Sequence, residues 1–131
     1  GKTFIEVDLS DQYMWYIVEG NVALETAVVT GRPYDHLTPP GVYDVLWTTT
    51  NTVLVGNIVP ETGEPEYETH VDYWMPVTHS GIGFHDAPWQ PAFGGDMYWT
   101  NGSHGCINMP WDSAAALYSM VSSGTPVVMH Y

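Results

Sequence analysis

Basic residues are almost missing from this chain. Lys2 and Arg32 are the only two, against fifteen acidic residues, and the formal net charge is −13 over 131 residues. Proteins that bind nucleic acids neutralise the phosphates with lysine and arginine, so we expect no nucleic-acid partner. The same shortage disfavours docking on an anionic membrane surface.

Cysteine and long apolar runs are scarce as well. The single cysteine, Cys106, rules out an internal disulfide framework. No apolar run approaches the roughly 18 residues that a membrane-spanning helix needs, so we expect no membrane insertion. The chain starts at Gly1 without a signal-peptide pattern. We interpret residues 1–131 as one domain excised from a longer protein, and we expect it to be a monomer.

Hydrophobic residues make up 44% of the chain, enough to build a core. Ile5, Val7 and Leu9 alternate with acidic residues, the period of two that is typical of a half-buried strand. Further apolar, β-branched or aromatic segments between turn signals predict more strands. These are Tyr13–Val18, Val22–Thr30, Val42–Trp47, Thr52–Ile58, Val71–Trp74, Val77–Phe84 and Val127–Tyr131. The pattern predicts a mainly β, largely antiparallel domain.

One main helix is predicted near the C-terminus, where apolar residues recur at helical spacing. Those residues are Ala114, Leu117 and Val121. Asp112 or Ser113 is the expected N-cap, and Gly124 suits the left-handed position that ends a helix. The acidic segment Pro60–Thr69 is predicted to be an exposed loop or hairpin tip. Asp86–Gly102 is predicted to be a long loop, a length that often indicates function.

The candidate functional residues surround the cysteine. Cys106 follows Gly105 and lies two residues after His104, while His85 lies twenty-one positions upstream. A lone cysteine with histidines nearby is typical of a thiolate nucleophile, since an adjacent imidazole activates the sulfur. Either histidine is a candidate partner. Gly105 lets the backbone approach a substrate, and amides near it are candidate oxyanion donors.

Two other interpretations of these residues stay open. A free cysteine is often buried and inert, although the polar and glycine residues around Cys106 are not typical of a core strand. Histidines and acidic residues are also numerous enough to raise the question of zinc. The candidate ligands are His70, His79, His85, His104, Cys106, Asp72 and Asp86. None has the close spacing typical of zinc sites, so we expect no metal and no cofactor.

The motif as a whole resembles the signature of the YkuD-type L,D-transpeptidase catalytic domain. That signature is a histidine, about seventeen residues, Ser or Thr, His-Gly-Cys, an apolar residue, and Asn or Arg. Here His85 is followed by seventeen residues and then by Ser103-His104-Gly105-Cys106-Ile107-Asn108. Other stretches match as well, and the likeness is greatest to members from Gram-positive bacteria. They include residues 5–10, 38–43, 81–86 and 124–127.

The resemblance implies a β-sandwich-like, mixed-β fold and a peptidoglycan L,D-transpeptidase activity. Cys106 would attack the stem tetrapeptide after its third residue, release D-Ala, and pass the acyl group to an acceptor amine. His85 would be the general base or imidazolium partner. A backbone carbonyl, that of Gly81, or the neighbouring Asp86 would orient its other nitrogen. No cofactor is implied.

The family also implies supporting and substrate-binding residues. His104 and Ser103 would support the site, and amides around Gly105 would hold the oxyanion. Asn108 stands where some members carry Arg. The residues predicted to bind substrate are Asn108, Trp89, Tyr98, Trp99 and Phe84.

The implied partners are peptidoglycan stem peptides, as donor and acceptor, and carbapenem-type β-lactams as covalent inhibitors. The implied location is outside the cytoplasm, at the bacterial cell wall or surface. Two alternatives to the transpeptidase remain. One is an L,D-carboxypeptidase or related cysteine hydrolase of cell-wall peptides, and the other is a wall-binding domain with an unreactive Cys106.

Overall fold

β-structure dominates the chain, as the alternating pattern predicted. The computed structural model describes residues 2–131, which form eleven strands and two helices. The strands are β1 (Phe4–Asp8), β2 (Tyr13–Val18), β3 (Asn21–Ala27), β4 (Gly41–Asp44), β5 (Thr49–Val55), β6 (Ile58–Val59), β7 (Glu64–Pro65), β8 (Glu68–Pro76), β9 (Gly83–Asp86), β10 (Ile107–Met109) and β11 (Pro126–His130). The helices are α1 (Met97–Asn101) and α2 (Trp111–Met120). The mainly β, mixed-sheet class with one main helix is thereby confirmed.

The first sheet has five strands in the order β3-β2-β1-β11-β4. Its centre joins the two ends of the chain, because β1 pairs with β11 in parallel, with Ile5 opposite Val127. The other pairs in this sheet are antiparallel. Alternate residues of β1 are buried, so one face of this sheet covers the core.

The second sheet has four strands in the order β10-β9-β8-β5 and carries the candidate catalytic residues. β10 runs parallel to β9, and Asn108 lies opposite His85. β8 pairs antiparallel with both β9 and β5. Beyond β5, the short β6–β7 hairpin forms the tip of the acidic segment that was predicted to be exposed. We call residues 56–67 the flap.

The hydrophobic core lies between the two sheets and under α2. Ile5, Val7, Phe84 and Leu117 are among its fully buried members. α2 contributes Ala114 and Leu117 to this core and packs against β3, β8 and β9. Burial of such side chains is worth about 1.5–3 kcal/mol each. The core therefore holds β9, and with it His85, in a fixed position.

Several local predictions differ from the structure. α2 begins at Trp111 after Pro110, and neither Asp112 nor Ser113 caps it through a side-chain hydrogen bond. It ends at Met120, so Gly124, with φ of +92°, lies in the following turn and does not end the helix. Pairing was expected to be antiparallel, but β1–β11 and β9–β10 are parallel.

Two segments were also assigned to the wrong element. The predicted strand Val77–Phe84 is mostly the turn between β8 and β9, and the predicted long loop contains α1. Neither helix described in residues 2–131 is long and apolar enough to cross a membrane.

Candidate active site

The loop that precedes β10 presents the only cysteine. Gly105 has φ of +121°, a conformation that side-chain-bearing residues rarely adopt. The Ser103 hydroxyl donates to the Cys106 carbonyl at 2.6 Å and accepts the Gly105 N–H at 3.1 Å. These bonds close a tight turn on residues 103–106, which we call the nucleophile loop. Because the Gly105 N–H is engaged there, it is not available to an oxyanion in this conformation.

A second segment, residues 31–38, supports the nucleophile loop through hydrogen bonds. The Thr38 hydroxyl donates to the Gly105 carbonyl at 2.7 Å and accepts the Gly31 N–H at 2.9 Å. The Arg32 N–H donates to the Ser103 carbonyl at 3.0 Å. A β-carbon at Gly31 would lie 1.8 Å from the backbone oxygen of His36, so only glycine fits there. No local sequence pattern indicates this support, because it joins segments far apart in the chain.

The Cys106 thiol lies at the wall of a cavity and is only 7% exposed. It packs with Val71, Trp74 and Leu54, and its Sγ donates to the Gly81 carbonyl at 3.2 Å. Burial raises the pKa of the Cys106 thiol to about 11, against a smaller opposing effect of a backbone hydrogen bond from Gly83. The Cys106 side chain is therefore a neutral thiol at neutral pH, and it would need a base to act as a nucleophile.

His85 is held in a defined tautomer. It is 4% exposed, and its Nδ1 lies 2.8 Å from the Asp86 carbonyl oxygen. A carbonyl only accepts, so Nδ1 carries the hydrogen and Nε2 keeps its lone pair. Burial lowers the pKa of His85, although the Asp86 carbonyl and carboxylate oppose this. Trp74 and Trp89 flank the ring at centroid distances of 6.0 and 5.9 Å.

Of the two groups predicted to orient the other nitrogen of His85, Asp86 contacts that nitrogen and Gly81 does not. Asp86 contacts His85 through its backbone carbonyl, while its carboxylate accepts the N–H groups of Asp72 and Tyr73 at 2.9 and 2.8 Å. Gly81 offers its carbonyl to Cys106 and not to the histidine. Asp86 thus joins β9 to β8, and Gly81 fixes the direction of the thiol.

His104 lies at the rim of the site and contacts the flap. Its ring is 4.9 Å from that of Tyr67 and its Nδ1 is 3.9 Å from the Glu66 carboxylate. On the other side it stacks on His36, with ring centroids 4.2 Å apart. Partial burial and the neighbouring His36 lower the pKa of His104, and Glu66 opposes them. These contacts suit a supporting role for His104 better than proton transfer.

Cys106 and His85 line one cavity of about 280 Å³. Its walls are Leu54, Tyr67, Thr69, His85, Trp89, Gln90, Asn101, Gly102, Ser103, His104, Cys106 and Asn108. Of the residues predicted to bind substrate, Trp89 and Asn108 belong to this lining. Phe84 is instead fully buried in the core, and Tyr98 and Trp99 lie outside the lining. Tyr67 and Gln90 carry no motif signal, and only folding brings them to the cavity.

A second cavity of about 270 Å³ lies across a shared wall from the first. Leu54, Tyr67 and His104 line both cavities. The second is bounded by the flap, including Glu66, and by the turn that carries Gly81. Cys106 and His85 line only the first of these two cavities. Across residues 2–131, no group of three or more His, Cys, Asp or Glu side chains is arranged to hold a metal ion.

Burial of the thiol predicts a loss of stability at alkaline pH. The pKa of Cys106 is about 11 in the folded protein and near 8.5 in an unfolded chain. Because the pKa is higher in the folded protein, the neutral thiol of Cys106 contributes to the free energy of unfolding. This contribution is complete below pH 8.5 and is lost as the pH rises towards 11. We expect the free energy of unfolding to fall by about 2–3 kcal/mol over that interval.

Urea unfolding of wild type and Cys106→Ala, measured side by side from pH 7 to 11, isolates this contribution. The variant lacks the thiol, so its stability is expected to fall less over the interval, and the difference between the two curves belongs to Cys106. Parallel curves would show that the thiol ionises as easily in the folded protein as in the unfolded chain.

The fold and the cavity together define a class of protein. A small mixed-β domain presents one cysteine and one neutral histidine, both buried, on the wall of a single cavity, the arrangement of enzymes that form an acyl-thioester. The L,D-transpeptidase catalytic domain family, YkuD, matches residues 2–129. The chain therefore belongs to that family.

Individual relatives agree with this assignment. The probable L,D-transpeptidase 3 of Mycobacterium tuberculosis is 35% identical over 102 residues, which cover 76% of this chain and 36% of that protein. A crystal structure of a cysteine-to-serine variant of Enterococcus faecium L,D-transpeptidase matches with a TM-score of 0.90 and 46% identity, over 99% of this chain and 50% of that one. The chain thus spans one third to one half of the length of these relatives.

A third relative is a solved catalytic domain. The NMR structure of the E. faecium L,D-transpeptidase catalytic domain acylated by ertapenem matches with a TM-score of 0.84 and 47% identity, over 98% of this chain and 97% of that domain. The fold described above is therefore that of a catalytic domain studied as a separate unit.

Proposed function

We propose that this domain is a peptidoglycan L,D-transpeptidase. The observation that carries the proposal is the pair of groups on the cavity wall: the thiol of Cys106, and His85 with its Nδ1 bound to the Asp86 carbonyl and its Nε2 unprotonated. Membership of the family gives this pair its substrate class, the stem tetrapeptide of peptidoglycan. The proposed product is a cross-link between the third residues of two stems.

Acylation begins from a neutral thiol and a neutral imidazole. The Cys106 proton passes to Nε2 of His85 as Sγ attacks the carbonyl carbon of the third residue. Collapse of the tetrahedral intermediate breaks the carbon–nitrogen bond, and the proton on Nε2 goes to the amine of the departing D-Ala. A thioester remains on Cys106. The low-dielectric wall of the cavity suits this order of proton transfers, because neither the Cys106 thiol nor the His85 imidazole carries a charge before substrate arrives.

The oxyanion needs donors other than the Gly105 N–H, which the Ser103 hydroxyl occupies. We assign this role to the Cys106 N–H, at the point where the tight turn enters β10. The role of Ser103 is then structural, because its hydroxyl closes the turn that sets the direction of the Cys106 N–H. The supporting role of His104 is to hold the flap in position through its contacts with Tyr67 and Glu66.

The second cavity suits the acceptor. Glu66 on its wall offers a carboxylate that attracts the ammonium group of a second stem or its cross-bridge. An acceptor held there lies across the shared wall of Leu54, Tyr67 and His104 from the cavity that holds the thioester. The ammonium first loses one proton to solvent, and the free amine attacks the thioester carbonyl. Nε2 of His85 takes the second proton from the attacking nitrogen and passes it to Sγ as the carbon–sulfur bond breaks, which leaves the new amide and the neutral thiol.

Incubation with a stem tetrapeptide, with and without a second stem that carries a free side-chain amine, tests the transferase. With the acceptor present, mass spectrometry is expected to show D-Ala release together with a cross-linked dimer. Without the second stem, no dimer between the two stems is expected. Release of D-Ala with no dimer at any acceptor concentration would identify the L,D-carboxypeptidase instead. Neither product from a folded protein would contradict both enzymatic assignments.

The cellular setting follows from the substrate. Peptidoglycan lies outside the cytoplasm, so we propose that the protein of which this domain is part works at the cell wall or cell surface. Carbapenem-type β-lactams are proposed as covalent inhibitors, since the related E. faecium domain has been solved with ertapenem attached.

A further inference from the structure

An exposed aromatic pair lies outside the catalytic cavity. Tyr34 is 91% exposed and Trp99 is 45% exposed, and their ring centroids lie 5.5 Å apart with an angle of 64° between the planes. Trp99 also contacts the ring of Tyr98, at 5.8 Å. Large apolar side chains that cluster on a surface mark binding sites. Neither Tyr34 nor Trp99 lines either of the two cavities described above, so the pair faces solvent outside the peptide site.

The backbone of Tyr34 adopts an unfavourable conformation. Its φ is +80°, in the left-handed region that glycine and asparagine tolerate and that a bulky side chain rarely adopts. The His36 N–H donates to the Arg32 carbonyl at 3.0 Å and closes the turn around Tyr34. The ring gains almost no burial in return, so it does not serve the core. Backbone strain of this kind is concentrated at functional sites, and it indicates a function for the exposed ring.

A planar ion pair lies in the same turn as Tyr34. Nε and Nη2 of Arg32 donate to the two carboxylate oxygens of Asp35, at 3.0 and 2.7 Å. Both side chains are about half exposed. The guanidinium keeps further N–H donors and the carboxylate keeps further lone pairs, because this pairing uses only part of each group. The turn therefore presents an aromatic ring together with hydrogen-bond donors and acceptors.

The turn and helix α1, which carries Trp99, are both joined to the wall of the catalytic cavity. The Arg32 N–H donates to the Ser103 carbonyl at 3.0 Å. A β-carbon at Gly102 would lie 2.5 Å from Cα of Arg32 and 2.4 Å from the Tyr98 carbonyl oxygen, so the turn and α1 are in close contact there. Gly102 and Ser103 themselves line the cavity that holds the thiol. A ligand on the aromatic pair would thus adjoin a ligand in that cavity.

The chemistry of this surface selects a neutral sugar. A pyranose ring has a face of C–H groups, which stacks on an aromatic ring, and hydroxyl groups at its edge, which need both donors and acceptors. The net charge of −13 disfavours a polyanion. Asp35 is already neutralised by Arg32, so a cation finds no free carboxylate in this turn. The glycan strand of peptidoglycan consists of N-acetylated amino sugars, and its carboxyl group is consumed in the bond to the stem peptide.

We propose that Tyr34 and Trp99 form a sugar platform, which binds a ring of the glycan strand to which the donor stem is attached. The exposed donors and acceptors of Arg32 and Asp35 bond to the hydroxyl groups of that sugar. The platform holds the glycan outside the cavity while the stem peptide enters it. Tyr34 and Trp99 are thus positioning residues that favour a stem still attached to its glycan. This inference deepens the proposed function and rests on it.

The test measures binding to Cys106→Ala protein, which forms no acyl-enzyme. Calorimetric titrations compare the free stem tetrapeptide with the same tetrapeptide attached to its disaccharide of N-acetylated amino sugars. We expect the disaccharide to strengthen binding about tenfold, the effect of one ring stacked on an aromatic side chain. The readout is the ratio of the two dissociation constants, because a general change in the cavity affects both ligands alike. Adding Tyr34→Asn or Trp99→Ala is expected to abolish the advantage of the disaccharide.

The choice of variants separates the platform from a structural role. Asparagine tolerates a positive φ, so Tyr34→Asn removes the ring without adding backbone strain. Tyr34→Phe keeps the ring and is expected to keep the advantage of the disaccharide. The matched control is Trp47→Ala, since Trp47 is as exposed as Trp99 but lies between β4 and β5, outside the lining of both cavities. This variant is also expected to keep the advantage.

The outcomes distinguish this inference from the proposed function. The sugar platform is overturned if the disaccharide gives no advantage, if the advantage persists in both Tyr34→Asn and Trp99→Ala, or if Trp47→Ala abolishes it as well. The proposed function still stands in these cases when the free tetrapeptide acylates the active protein. If neither ligand binds Cys106→Ala and neither acylates the active protein, both the platform and the proposed function are wrong.

Discussion

We expect the wild-type domain to gain the mass of one carbapenem molecule, and the Cys106→Ala variant to gain none. The β-lactam carbonyl is an acyl donor, and Cys106 is the only thiol in the chain. Its Sγ lies on the cavity wall with its direction fixed by the Gly81 carbonyl at 3.2 Å. Loss of the nucleophile removes the covalent step entirely, so the expected effect is complete. Intact-mass spectrometry of both proteins after incubation with excess carbapenem measures it.

The alanine variant provides its own control for folding. Cys106 is a small buried side chain, and its removal is expected to leave the circular dichroism spectrum unchanged. An equal adduct on the folded variant would show that another residue reacts. An unmodified wild type would favour the wall-binding alternative, in which Cys106 is inert.

The second large effect concerns the two histidines. His85→Ala is expected to slow acylation by a factor on the order of 10²–10⁴, the usual contribution of a general base. His104→Ala is expected to slow it about tenfold or less, because this ring contacts Tyr67, Glu66 and His36 at the rim. Rates of carbapenem acylation, followed by mass or by loss of β-lactam absorbance, give both values.

A matched substitution at a distant histidine tests for general effects. His130 bonds to Glu6 at 2.8 Å in the five-stranded sheet, away from the cavity, so His130→Ala should acylate at the wild-type rate. Raising the pH gives a further test, since a hydroxide-generated thiolate bypasses the base and should partly restore His85→Ala. If His104→Ala were the more damaging variant, the roles of the two histidines would be reversed.

Much of the fold was accessible from local pattern. The alternation of Ile5, Val7 and Leu9 predicted β1, and the spacing of Ala114 and Leu117 predicted α2, because each pattern is completed within a few residues. Pairing was less accessible. The parallel contact of β1 with β11 joins residues more than a hundred positions apart, and no local signal distinguishes it from an antiparallel one. The short helix α1 was missed for a related reason, since five residues carry too little periodicity.

The candidate site also contains some residues that a local sequence pattern indicates and others that it does not. The motif singled out Cys106, His85, His104 and Asn108, because spacing and residue type are properties of the sequence. Tyr67 and Gln90 reach the cavity from the flap and the long loop, and nothing in their neighbours indicates it. The reverse also occurs: Phe84 precedes His85 and was predicted to bind substrate, but alternation along β9 turns its side chain into the core.

By itself, the sequence determined the type of chemistry: one thiol, two nearby histidines, almost no cations, and a family signature around them. The resemblance gave His85 as the partner of the sulfur, but the sequence left open which groups hold the histidine and the thiol in place. Tertiary structure decided that His85 carries its hydrogen on Nδ1, bound to the Asp86 carbonyl, and that Thr38 supports the nucleophile loop. The physical reason is that the burial of a thiol and the hydrogen bonds that hold its loop depend on atoms brought together by folding, and most of these atoms belong to residues far apart in the chain.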